Sequence, residues 1–175
     1  GSCVIPIREF FVLGAVAFAT AAQATTPSAA PKARVSLVPF ASAVAADQPL
    51  EIGVKFELDP GWHIYWQNSG DAGSPPSIAW SLPEGFTVGE LQFPTPKRHV
   101  SPGDIITNIL KGEPVLLTTI QAPKSLPAGE IKIAAKVMSF VCETQCLSET
   151  ANVDSHLTPM TCTRYMLRSV FGIAK

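Results

Sequence analysis

The chain has 175 residues and a formal net charge of −1. That length suits one domain with room for a real core, and the lack of a basic stripe argues against nucleic acid as a partner. Prolines recur from Pro49 to Pro127 at roughly ten-residue intervals, the punctuation expected of many short strands with little room for helices.

At the N-terminus Arg8 precedes an apolar run, Phe10 to Ala19, and Ala22-Gln23-Ala24 supplies a small-x-small cleavage site. Residues 1–24 therefore read as a secretory signal peptide, with a run too short to span a bilayer comfortably. Export would place the mature protein where disulfides persist. Cys3 would be lost on cleavage, leaving Cys142, Cys146 and Cys162. Residues 25–32 form a Pro/Ala/Thr/Ser linker, residues 33–158 the domain, and residues 159–175 a tail of unassigned role.

Residues 33–40 read as a first strand. Residues 50–58 alternate cleanly, with Leu50, Ile52, Val54, Phe56 and Leu58 inward and Glu51, Lys55 and Glu57 towards water. After the turn Asp59-Pro60-Gly61 comes Trp62-His63-Ile64-Tyr65-Trp66. On a strand Trp62, Ile64 and Trp66 share the core face, which leaves His63 and Tyr65 on the other, free to line a site. Residues 68–76 are rich in Gly, Pro and Ser and read as a loop. Ile78, Trp80 and Leu82 alternate as the next strand, and residues 86–93 follow, with Gly89 marking a bulge.

Residues 94–104, with Pro94, Pro96, His99 and Pro102, read as a long exposed excursion of the kind that carries binding function. Residues 105–110 and 115–120 are expected to pair as a hairpin across Lys111-Gly112-Glu113. Residues 130–142 form the last long strand, with Ile131, Ile133, Ala135, Val137, Ser139 and Val141 inward. Its outer face starts polar at Lys132 and Lys136 and turns apolar at Met138, Phe140 and Cys142, the mark of a docking patch or of a second layer of packing. Ala151, Val153 and Leu157 continue as a final strand.

Cys142 and Cys146 are the two cysteines close together in sequence. A tight turn over Glu143-Thr144-Gln145 brings their Cα atoms within roughly 6 Å, inside the disulfide window, whereas an extended segment would hold them about 13 Å apart. A loop this small gives only about 2 kcal/mol of chain-entropy stabilisation, against roughly 4.7 for a loop of a hundred residues. Three roles stay open on spacing alone: a structural bridge in a protein-binding module, a redox pair, and a Cu(I) site that could recruit Met138. Zinc would need about four ligands, and His63, His99 and His156 are scattered; no metal or other cofactor is expected. Glu143 and Glu149 flank the pair, and no Lys or Arg lies between Val137 and Leu157. Those neighbours disfavour thiolate and predict a dithiol that is sluggish until a partner activates it.

Several motifs together resemble the amino-terminal periplasmic domain of the thiol:disulfide interchange protein DsbD and its ScsB-like relatives. They are Gly61-Trp-His-Ile-Tyr-Trp66 with Asn68, Gly70-Asp71 and Gly73; Ile78-Ala-Trp80 with Leu82-Pro-Glu-Gly85; Leu91-Gln-Phe-Pro-Thr-Pro96; and Val141-Cys-x-x-x-Cys-Leu-x-Glu149. The resemblance covers roughly Val35 to Leu157. It implies an immunoglobulin-like β-sandwich, all-β, acting as a protein-disulfide reductase component in the periplasm. Reducing equivalents would arrive from the thioredoxin-like domain of a DsbD-type membrane reductase. They would leave to periplasmic thioredoxin-fold substrates such as disulfide isomerases and cytochrome c maturation thioredoxins. Membrane association would come only through a separate or missing membrane domain. By position Cys146 corresponds to the sulfur that forms the mixed disulfide and Cys142 to the resolving one. His63, Tyr65, Phe93 and Phe140 are the expected lining. The cysteine spacing is shorter than in the best-known DsbD domain and closer to the ScsB-like branch, and the acidic cap residues of that domain have no clear counterpart around Phe93.

Overall fold

A computed structural model of the chain describes residues 30–160. The expected signal peptide, most of the linker, Cys3 and Cys162 lie outside them. In chain order the strands are β1 (Ala33–Pro39), β2 (Ala43–Val44), β3 (Pro49–Leu58), β4 (His63–Gly70), β5 (Ser77–Ser81), β6 (Thr87–Val88), β7 (Lys97–Ser101), β8 (Ile105–Lys111), β9 (Val115–Gln121), β10 (Ile131–Cys142) and β11 (Cys146–Pro159). Among the described residues no helix is long and apolar enough to cross a membrane.

The strands form two sheets. One has the order β1-β3-β9-β6; the other has the order β2-β11-β10-β4-β8-β7, with β5 also paired to β10. Pairing is antiparallel except where β2 runs parallel to the end of β11. The alternation read from residues 50–58 holds: Ile52, Val54 and Phe56 are fully buried. They face Ile64, Ile133, Val137 and Val141 from the larger sheet in one continuous core. Side chains at alternate positions of both sheets thus fill the space between them. The architecture is an immunoglobulin-like β-sandwich.

Three expectations are corrected. Residues 105–110 and 115–120 do not pair as a hairpin, because β8 pairs with β4 and β7 while β9 pairs with β3 and β6. The link between them is a corner from one sheet to the other, held by Leu58 N–H to Gly112 O and Phe56 N–H to Pro114 O, each 2.9 Å. Both strands need an apolar face buried, and a short connection serves a corner as well as a hairpin. Residues 94–104 are not all loop: Lys97–Ser101 is an edge strand paired to β8 from Lys97↔Ile109 to Ser101↔Ile105. Residues 86–93 form only the short β6 and a single bridge, Gln92↔Leu117, with Gly89 between them bonded to Thr119 O.

A disulfide on the outer face of the larger sheet

β10 and β11 are the two arms of one hairpin, paired without a break from Ile131↔Leu157 to Cys142↔Cys146. Glu143, Thr144 and Gln145 close it, with Glu143 N–H donating to Gln145 O at 3.0 Å. The two cysteines are therefore directly opposed, with Cα atoms 4.1 Å apart, and are bonded to each other. Their environments differ sharply. Cys142 is 2% exposed, whereas Cys146, at the free start of β11, is exposed.

Cys142 also pairs with His63 across β10 and β4, and His63 pairs with Lys111 across β4 and β8. Opposed residues in a sheet put their side chains on one face. Lys111, His63, Cys142 and Cys146 thus form a row across four strands. Two positions along β4, Tyr65 belongs to the same outer face. With Ile109 and Cys142 it makes a small buried cluster separate from the main core. The expectation that Trp62 and Ile64 fill the core and leave His63 and Tyr65 outside it matches this arrangement.

The Tyr65 hydroxyl lies 3.4 Å from Cys142 Sγ, to which it donates, and 3.9 Å from Cys146 Sγ. Burial raises the Tyr65 pKa, so the phenol keeps the proton it donates. His63 meets the Tyr65 ring edge-on, centroids 5.4 Å apart. Burial first, then the charges of His99 and Lys111, lowers the His63 pKa to about 4. At neutral pH the imidazole is uncharged. A cavity of about 240 Å³ opens beside the disulfide, walled by His63, Tyr65, His99, Ile105 and the hairpin loop.

His99 is a site residue that sequence reasoning missed. It stands 5.6 Å from His63, ring centre to ring centre, because β7 pairs it with Thr107. Lying in what read as an exposed loop, it gave no alternation signal. Two expected lining residues stand elsewhere. Phe93 packs against the main core, and Ser101 and Ile105 of the β7–β8 hairpin supply the wall assigned to it. Phe140 points outward beside Cys142, 45% exposed, as does Met138 at 43%; neither lines the cavity.

The electrostatic expectation also changes. The Glu149 carboxylate accepts the backbone N–H groups of Lys32 at 2.7 Å and Ala33 at 3.0 Å. It closes β1 onto β11 and does not line the disulfide cavity. Glu143 does line it, but cationic Lys111 stands two places along the row from Cys142, on a strand distant in sequence. Among the described residues no group of three or more His, Cys, Asp or Glu is placed to hold a metal ion.

Residues 34–158 match the family model described as thiol:disulfide interchange protein DsbD, N-terminal. No curated protein matches the chain. Among solved structures it is similar to the N-terminal periplasmic domain of ScsB from Proteus mirabilis, with 19% identity and a TM-score of 0.49. That match covers 70% of this chain but 43% of the other, so the chain spans less than half the length of that relative. The reduced N-terminal domain of Neisseria meningitidis DsbD is 11% identical, covering 71% of this chain and 83% of that one, with a TM-score of 0.41. A chain from the complex between the DsbD N-terminal and PilB N-terminal domains of the same organism is 14% identical, covering 69% and 80%, with a TM-score of 0.35.

Proposed function

The chain belongs to the family of DsbD N-terminal domains and is a thiol–disulfide exchange domain; from that premise we propose that Cys142 and Cys146 relay electrons between periplasmic proteins. The donor in this reading is the thioredoxin-like domain of a DsbD-type membrane reductase. The acceptors are thioredoxin-fold proteins, and the PilB N-terminal domain that partners N. meningitidis DsbD is an example of a protein that meets such a domain. Residues 1–24 would direct export and residues 33–158 would be the working unit, so the site of action is the periplasm.

The observation that supports this best is the unequal exposure of two bonded cysteines, Cys146 open to a visiting protein and Cys142 buried with its sulfur bonded by Tyr65. In the reduced domain the Cys146 thiolate attacks one sulfur of a partner disulfide. A new intermolecular S–S bond forms and the partner's other sulfur leaves as thiolate. Cys142, as thiolate, then attacks Cys146 Sγ and expels the partner's first sulfur. The Cys142–Cys146 bond is remade, two electrons have passed to the partner, and its thiolates take up two protons. A thioredoxin-like dithiol runs the same steps in reverse to restore the domain. Tyr65 donates to sulfur during these steps, neutral His63 packs behind it, and the exposed Phe140 and Met138 give the partner an apolar footing.

The test is equilibration of the domain in thiol–disulfide buffers of graded potential. A redox pair titrates reversibly with a midpoint above about −300 mV and exchanges with a thioredoxin-fold protein. A structural bridge titrates well below about −300 mV and does not exchange.

A further inference from the structure

The end of β4 and the turn that follows it are held by a set of hydrogen bonds that the sulfur chemistry alone does not explain. Asp71 grips β8 at two points: its N–H donates to Ile106 O at 2.9 Å, and its Oδ2 accepts Ile106 N–H at 2.8 Å. Asn108 Nδ2 donates to Asn68 O at 2.9 Å, and Asn68 Oδ1 accepts the Gly70 N–H at 3.2 Å. Gly70, at φ 87°, lets the chain pass against the Ile106 carbonyl, where a Cβ would overlap that oxygen. Ser69 Oγ then donates to Gly73 O at 3.0 Å.

All of this ends at one contact. Gly73, at φ 87°, lies flat against the Tyr65 ring. A Cβ there would sit 2.5 Å from Tyr65 Cδ1 and nearer still to Cε1 and Cζ, a separation real atoms do not reach. The ring is therefore held between the Gly73 backbone on one side and the edge contact with His63 on another. At the far end of that ring is the hydroxyl that meets Cys142 Sγ. A phenol free to swing would spend much of its time off the sulfur, because a hydrogen bond weakens steeply with distance and angle.

We infer that the Asn68–Gly73 segment, the end of β4 and the turn after it, is a positioning device for the sulfur pair, in which Gly73 fixes the Tyr65 ring so that its hydroxyl stabilises the Cys142 thiolate in the reduced state. The inference rests on the redox reading of the pair. Gly73 touches neither sulfur and acts through Tyr65. A donor aimed at thiolate favours the charged form, so loosening the ring raises the Cys142 thiol pKa and slows its resolving attack on Cys146 Sγ.

The test follows thiolate formation by ultraviolet absorbance against pH in the reduced protein, with the melting temperature measured alongside. Tyr65→Phe should raise the pKa of the Cys142 thiol, identified by comparison with Cys146→Ser, by about one unit. Gly73→Ala should produce at least about half of that shift, and Tyr65→Phe/Gly73→Ala no more than Tyr65→Phe alone, since both act through one bond. Ser69→Ala, a half-buried change that removes the bond to Gly73 O, should shift the titration in the same direction by less. It carries the test if Gly73→Ala fails to fold. A wild-type titration in both Gly73→Ala and Ser69→Ala, or full additivity in the double variant, overturns the inference. If the wild-type pair does not exchange with thiols at all, it is the proposed function that fails.

Discussion

Cys142 and Cys146 are partners in one register pair, yet one is sealed beneath Tyr65 and the other stands open at the start of β11. Accessibility and thiolate character together set the rate at which a thiol reacts. After reduction, Cys146 in a Cys142→Ser variant should alkylate at least about tenfold faster than Cys142 in a Cys146→Ser variant. Timed quenching with a neutral alkylating agent and mass spectrometry of the intact protein measures this. Equal rates would remove the basis for assigning different roles to the two sulfurs.

The bridge closes a hairpin that is already paired along its whole length. Reduction should therefore cost no more than about 2 kcal/mol and leave the sandwich folded. Urea titrations of the oxidised and reduced domain give that difference directly. Loss of the cooperative transition on reduction would mean that the bond is a staple.

His63 adds a pH dependence whose sign is fixed. Its folded pKa of about 4 lies below the ordinary 6.5, so the unfolded chain binds the extra proton between those values. Its contribution is fully present above about pH 6.5 and is lost as pH falls towards 4, by an amount on the order of 2 kcal/mol. His63→Gln should flatten that part of the stability–pH curve. An unchanged slope in the variant would show that the imidazole is not held neutral.

Glu149 should matter to the fold and not to the sulfurs. Glu149→Ala leaves the Lys32 and Ala33 N–H groups without their acceptor and should cost about 1–2 kcal/mol. Amide hydrogen exchange in β1 should speed up, while the thiolate titration stays at its wild-type position. A fall in thiol pKa in this variant would restore the reading, from proximity in sequence, that Glu149 suppresses thiolate.

That contrast marks the boundary of what the chain disclosed in advance. Alternation placed Ile52, Val54 and Phe56 inward and His63 and Tyr65 outward, because a strand's two faces are written in every second residue. The outward run Met138, Phe140, Cys142 was visible for the same reason. What alternation does not encode is which strand lies beside which. The β8–β9 link was therefore open to misreading as a hairpin, and the edge strand that carries His99 looked like loop because its residues are mostly polar or exposed. Phe93 was placed at the site by the family resemblance, whereas it packs against the main core. Of the two acidic neighbours in sequence only Glu143 lines the cavity, and Lys111 arrives across the sheet, so sequence proximity was a partial guide to the field at the sulfurs.

Trapping is the most direct measurement of the central claim. Reduced Cys142→Ser domain is mixed with an oxidised thioredoxin-fold protein, quenched with acid and digested for mass spectrometry. A mixed disulfide through Cys146 is expected, absent from Cys146→Ser and resolved to free partner dithiol when Cys142 is present. A partner left oxidised by the wild-type reduced domain, with no cross-linked species from either variant, would contradict it.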